Sequence, residues 1–143
     1  MTLKLNSGFA MPSMGFGTYG IKTTDPFITA FKIGYRHIDT ASYYDNEELI
    51  GEAIERASKE GIVQREDIFI TTKLWHDDYS DPEAALLLSL KKLQTSYVDL
   101  YLIHWPLTGL VENKVPMHVL WAKMESLVEK GLARSIGVSN FNL

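Results

Sequence analysis

Four residues of this chain could together run proton chemistry on a carbonyl oxygen: Asp39, Tyr44, Lys73 and His104. They fall in three segments, Arg36–Tyr44, Phe69–Lys73 and Leu100–Pro106, each an apolar, strand-like run with the polar group at its end. A fourth segment, Ser135–Phe141, ends in the same way with Ser139 and Asn140. In a parallel α/β protein the carboxyl ends of the strands face one crevice, so these groups would meet. Tyr44 can donate its phenolic proton, although a free tyrosine titrates near about 10. A charged Lys73 beside it favours the phenolate and eases proton release toward neutrality. Asp39 would balance and orient Lys73, and His104 would hydrogen-bond a carbonyl oxygen and hold it in place.

A proton given to a carbonyl oxygen demands a partner that attacks the carbon. The chain has no cysteine, and no Ser-His-Asp order is evident. A hydride from a nicotinamide is the natural partner, and hydride chemistry needs a bound cofactor. Ser139 and Asn140 would grip the carboxamide of such a ring. Taken singly, each residue has a plainer reading. Asp39 is a turn or cap residue, Lys73 a solvated lysine, His104 a core histidine, and Trp75 and Trp105 packing groups. Asn46-Glu47 is a helix start, and Ser139-Asn140 a cap for a following helix. Their arrival at successive strand ends is what favours a site.

The intervening sequence supplies the elements that must position these groups. Leu3 to Ala10 reads as a hairpin turning at Asn6-Ser7-Gly8, and Met14 to Gly17 as a short strand. Asp25-Pro26 predicts a helix with Asp25 as its cap and Pro26 in its first turn, ending at Gly34. Tyr35 to Asp39 is a strand. Asn46 is expected to cap a helix from Glu47 to Glu60, with acidic residues early and Gly61 as the stop. Its residues Leu49, Ile50, Ala53, Ile54 and Ala57 share one face. Ile68 to Thr72 is a strand, and Asp81-Pro82 opens a helix through about Leu93. Val98 to Ile103 is a strand whose nearly continuous apolar run predicts burial on both faces. Pro116 to Lys130 is a helix with Leu120, Trp121, Met124, Leu127 and Val128 inward, stopped by Gly131. Ala133 to Val138 is the last strand. The order is a hairpin followed by βαβαβαβαβ, which implies a parallel sheet with helices packed against it. No linker divides it, so residues 1–143 read as one unit.

Bulk properties narrow the class. At 143 residues the chain has the length of one ordinary domain. It is 45% hydrophobic and 22% charged, which suits a soluble fold. The net charge of −4 is dispersed, so neither nucleic acid nor a membrane surface is an expected partner. The absence of cysteine excludes disulfides and thiolate metal sites, and no metal site is expected. No apolar run approaches the roughly 18 residues of a spanning helix. The amino terminus lacks a basic segment followed by a long apolar core, so no signal peptide is expected. A cytoplasmic location follows as the default.

The motifs resemble the aldo-keto reductase family. They are Gly15-Phe16-Gly17-Thr18, Gly34 to Ala41 with Tyr44 and Asn46-Glu47, Thr72-Lys73-Leu74-Trp75, Val98 to Pro106, and Gly137-Val138-Ser139-Asn140-Phe141. They are ordered and span nearly the whole chain. The resemblance implies a (β/α)8 barrel, here represented by a hairpin, five parallel strands and four helices. It implies an oxidoreductase that reduces aldehydes or ketones with NADP(H). Tyr44 would be the general acid, Lys73 and Asp39 would tune it, and His104 would orient the substrate. Gly17, Thr18, Asp39, Ser139 and Asn140 match positions at the nicotinamide half of the cofactor. Tyr19, Tyr43, Trp75, His104 and Trp105 match substrate-pocket positions, with Tyr19 where family members often carry Trp. The loop from Leu107 to Val115 is short for the family.

A complete barrel of this type takes roughly 250 residues or more. The resemblance therefore places the pyrophosphate and 2′-phosphate contacts, and an aromatic that stacks on the nicotinamide, in a carboxyl-terminal half outside these 143 residues. Five strands alone would leave an apolar interior and two strand edges open, which favours a homo-oligomer that covers them. Three functional readings stay open: a carbonyl reductase, a catalytically silent half-barrel, and a binding or regulatory module of the same fold. The substrate is not legible.

Overall fold

The computed structural model describes residues 1–106 and 115–142. The expected loop from Leu107 to Val115 thus lies, apart from Val115, outside the described residues. An amino-terminal hairpin pairs β1 (Thr2–Lys4) with β2 (Ala10–Pro12), antiparallel, around a turn in which Gly8 takes a φ of 91°. The alternation then begins: β3 (Phe16–Gly17), α1 (Asp25–Lys32), β4 (His37–Asp39), α2 (Glu47–Lys59), β5 (Phe69–Leu74), α3 (Pro82–Leu93), β6 (Leu100–Ile103), α4 (Met117–Glu129) and β7 (Ile136–Val138). The five strands β3 to β7 form one parallel sheet in sequence order, as in a (β/α) barrel opened after its fifth strand. β3 and β7 are its two edges.

Register divides the sheet into two faces. Ile38, Ile70, Thr72, Leu74, Tyr101 and Ile103 turn outward, and their apolar members join the buried core beneath the helices. Phe27, Phe31, Ile50, Ala53, Leu86, Leu90, Leu120, Met124 and Leu127 supply the helical half of that core. The inner face carries His37, Asp39, Phe69, Thr71, Lys73, Leu100 and Leu102. It is more polar than the apolar interior expected from the sequence: His37 Nε2 and Thr71 Oγ1 are bonded across it at 2.9 Å. The hairpin reaches beneath it, where Ser7 Oγ and Ser135 Oγ lie 2.6 Å apart.

Several local expectations need correction. Thr24, not Asp25, is the cap residue of α1, and it makes no side-chain cap bond; Asp25 is the first helical residue. Asn46 precedes α2 as expected, but its side chain makes no cap bond and is used elsewhere. Asp81 does cap α3, accepting from the Ala84 N–H at 3.0 Å. β6 is not buried on both faces: Tyr101 and Ile103 are buried, whereas Leu100 and Leu102 face the open interior and are half-buried. On α4, Leu120, Met124 and Leu127 are buried and Trp121 half-buried, but Val128 is exposed. Val128 and Trp121 border a groove shared with Asn6, Ser7 and Arg134 along the β7 side, so the inward face of α4 outruns the sheet that should cover it.

The opposite, amino-terminal end of the sheet is held by charge. Asp99 is buried and accepts from Arg65 Nη2 at 2.9 Å, from the Ile70 N–H at 2.9 Å and from Arg134 Nη1 at 3.1 Å. The Tyr97 ring also contacts both guanidinium groups, at 4.2 and 4.0 Å.

Candidate active site

The residue that follows β3, β4, β6 and β7 extends the ladder by one bond, which fixes the crevice. The Thr18 N–H donates to Asp39 O (3.1 Å), Thr40 to Thr71 O (2.9 Å), His104 to Leu74 O (3.1 Å) and Ser139 to Ile103 O (2.9 Å). Side chains at the strand ends are thereby aimed from well-anchored backbone rather than from free loops.

Lys73 points into the interior and is buried, with 7% of its side chain exposed. Its Nζ donates to Asp39 Oδ1 at 2.5 Å, to the Thr40 carbonyl at 2.9 Å and, at 3.5 Å, to the Tyr44 hydroxyl. Three acceptors match the three donors of an ammonium. The Asp39 side chain is 38% exposed, so this pair sits at the boundary between protein and crevice. Tyr44 comes from the single 3-10 turn Ser42–Tyr44 directly after β4, closed by Asp45 at a φ of 52°. Its ring packs edge-on against His104 (5.7 Å) and against Tyr19 (5.1 Å). Asp39, Tyr44, Lys73 and His104 are therefore assembled as one cluster.

His104 is buried, and its ring stands edge-on to Trp75 at 5.2 Å. Burial, reinforced by the Lys73 charge and opposed by Asp39, pulls its pKa from 6.5 down to about 4. The imidazole is neutral at pH 7. Its Nδ1 is buried without a partner. An orphaned buried acceptor is tolerated more readily than an orphaned N–H, which favours the tautomer protonated at Nε2.

Aromatic side chains line the approach. Tyr43 stacks on Trp75 with ring centroids 4.0 Å apart, and Tyr43, Tyr19 and Trp105 are exposed. The backbone of Trp105 is pinned because the Tyr79 hydroxyl donates to its carbonyl. Asn140 has a φ of 61° and turns its amide back, donating to His104 O at 2.9 Å and to Ser139 Oγ at 3.0 Å. β7 is thereby tied to the His104 turn. Gly17 pairs with Asp39 at the end of β3, and Thr18 is fully buried with its hydroxyl unpartnered.

The groups present suit a nicotinamide amide and ring. Ser139 and Asn140 offer amide-compatible hydrogen-bonding groups beside His104, and the orphaned Thr18 hydroxyl lies at the end of the neighbouring strand β3. The surrounding surface is aromatic, and no cluster of metal-ligating side chains occurs among the described residues.

Thr40, Asn46, Glu47 and Thr72 are all buried and support the site, a role that the sequence motifs containing them do not by themselves assign. Asn46-Glu47 was read as a helix start, and a glutamate buried in the first turn has no local signature that separates it from a solvated one.

Comparison with known proteins decides the ancestry. Residues 16–143 match the model of the Aldo/keto reductase family. The chain belongs to the aldo/keto reductase family. An aldose reductase of Encephalitozoon cuniculi is 46% identical over 158 residues, covering 98% of this chain and 52% of the relative. The methylglyoxal reductase DkgA of Escherichia coli K12 is 45% identical over 144 residues, covering 99% of this chain and 50% of the relative. Among solved structures, the silkworm aldo-keto reductase AKR2E5 complexed with NADPH is 39% identical with a TM-score of 0.93, covering all of this chain and 48% of that one. The chain thus spans about half the length of these aldo/keto reductases, and its fold is a partial (β/α) barrel of their type.

Proposed function

We propose that this chain carries the proton-delivering half of an NADP(H)-dependent reductase of aldehydes or ketones. The observation that supports this most is the Asp39–Lys73–Tyr44 relay beside a neutral His104. In this reading Tyr44 gives its proton to the carbonyl oxygen. Lys73 stabilises the phenolate left behind, and Asp39 holds the ammonium in place and offsets its charge. His104 donates a hydrogen bond from Nε2 to the same oxygen and orients it. Because the imidazole is neutral, it positions the substrate without competing as a proton source. Gly17, Thr18, Asp39, Ser139 and Asn140 would hold the nicotinamide end of the cofactor. When bound, the reduced nicotinamide supplies the hydride that completes the reduction. Tyr19, Tyr43, Trp75 and Trp105 form the aromatic wall against which the substrate rests.

Fluorescence titration with NADPH tests the reading. Saturable binding is expected; no binding at millimolar NADPH would sink it for the 143-residue chain. Among the described residues, both β3 and β7 present open edges. We propose that these edges, more than the polar inner face, drive self-association of this polypeptide into a homo-oligomer. A dilute monomer in light scattering would contradict that. No described helix is long and apolar enough to cross a membrane, and a cytoplasmic location is part of the proposal.

A further inference from the structure

The relay rests on two buried polar residues that proton delivery itself does not use. Asn46 and Glu47 are 1% and 2% exposed and stand side by side at the start of α2, immediately after the turn that carries Tyr44. An asparagine at this position ordinarily caps the helix. Here it does not. Its Nδ2 donates to Thr18 O at 2.7 Å and to Ile21 O at 3.3 Å, and its Oδ1 accepts from Thr40 Oγ1 at 3.1 Å. The Thr40 carbonyl is the acceptor that holds Lys73 Nζ at 2.9 Å. Asn46 therefore ties together the turn after β3 and the peptide against which the lysine is anchored.

Glu47 works from the other side of the sheet. Its Oε1 accepts from Thr72 Oγ1 at 2.6 Å, and Ser89 of α3 also hydrogen-bonds it. Thr72 immediately precedes Lys73 on β5 and points outward, so Glu47 holds the strand from behind while Lys73 reaches inward. Ser42 completes the grip by donating to the Lys73 carbonyl at 3.0 Å. A buried carboxyl is expensive, and an apolar side chain would fill the same space at less cost. Glu47 offsets that cost with its bonds to Thr72 and Ser89.

We infer that Asn46 and Glu47 are positioning residues that fix the Lys73 ammonium against Tyr44, one through the Thr40 carbonyl and the other through Thr72. This inference deepens the proposed reductase reading and rests on it for its kinetic consequence. Misplacing a reacting group by about 1 Å can cost about 10²-fold in rate.

The test uses the full chain and the variants N46A, E47A and E47Q, each first checked for folding by thermal denaturation. Nitrogen-15 NMR of the lysine side chains reads the position of Lys73 without any activity. A buried ammonium bonded to three acceptors exchanges slowly and should give a protected signal in the wild type. That signal should vanish in N46A and E47A and return in E47Q, whose amide oxygen still accepts from Thr72. With NADPH and a reactive aldehyde, kcat should fall about 10²-fold in N46A and E47A, with NADPH affinity held within about twofold in E47A. E47Q should recover to within about threefold of the wild type. If E47A does not fold, T72V, which removes the donor at nearly constant shape, should lose the signal instead. A protected Lys73 signal and full kcat in folded N46A and E47A would overturn the inference. So would a loss of activity that merely follows the unfolded fraction. A wild type that shows the protected signal but neither binds nor oxidises NADPH would refute the reductase reading and leave the positioning role standing.

Discussion

His104 should resist protonation to an unusual degree, and the fold should weaken in acid because of it. The folded imidazole titrates at about 4 instead of 6.5, chiefly because it is buried and secondarily because Lys73 lies near. At pH 5 it would be only about a tenth protonated, where a free histidine is almost fully charged. The unfolded chain binds a proton as the pH drops through 6.5, and the folded chain does so only near 4. Stability therefore rises with pH across this window and is lost as pH falls from 6.5 toward 4, below which the contribution is constant. A displacement of this size has a ceiling of about 3.4 kcal/mol. The clean comparison is wild type against H104N, by urea unfolding at pH values between 7 and 4. The pKa of His37 is also lowered, again by burial first, but His37 is present in both proteins and cancels in the difference. The wild-type stability curve should steepen relative to H104N by no more than that ceiling, and imidazole NMR should place the His104 titration near 4. Parallel curves, or a His104 resonance titrating near 6.5, would refute the assigned environment.

Two further outcomes concern the scaffold. G51A should destabilise the fold, because a Cβ at Gly51 would sit 2.5 Å from Lys92 O and 2.9 Å from Leu93 C, both backbone atoms of the α3 end. Overpacking of about 1–3 kcal/mol should exceed the roughly 1 kcal/mol gained in helix propensity, and an unchanged or raised melting temperature would contradict the packing described. D99A should cost about 3 kcal/mol in urea unfolding by stranding Arg65 and Arg134 and freeing the Ile70 N–H, and a change below about 1 kcal/mol would show the network to be incidental.

Much of this architecture is legible in the amino-acid sequence. The two-residue period of His37-Ile38-Asp39 and Thr71-Thr72-Lys73 already separates inner from outer face, and it is this period that brings Asp39 and Lys73 to one side. Asp81-Pro82 announced a helix start that the Asp81 side chain does cap. Misreadings arose where distant contacts override local preference. Asn46 looks like a cap, but its acceptors at Thr18 and Ile21 lie far back in the chain and draw its amide away. Val128 falls on the apolar side of α4 by period, yet lies by the β7 edge, where it is exposed. Asp99 opens an otherwise apolar strand run, and that oddity was the available sign of a buried ionic hub. Glu47 gave no such sign, because burial of an acid at a helix start depends on which strand lies behind it.

The central claim is that Tyr44, held by Lys73, delivers the proton of a carbonyl reduction. The most direct test is NADPH oxidation with a reactive aldehyde by wild type and Y44F, with NADPH affinity measured on both. Turnover should fall by about 10²–10⁴-fold in Y44F while cofactor affinity stays within about twofold. Equal turnover in the two proteins would contradict the role given to Tyr44.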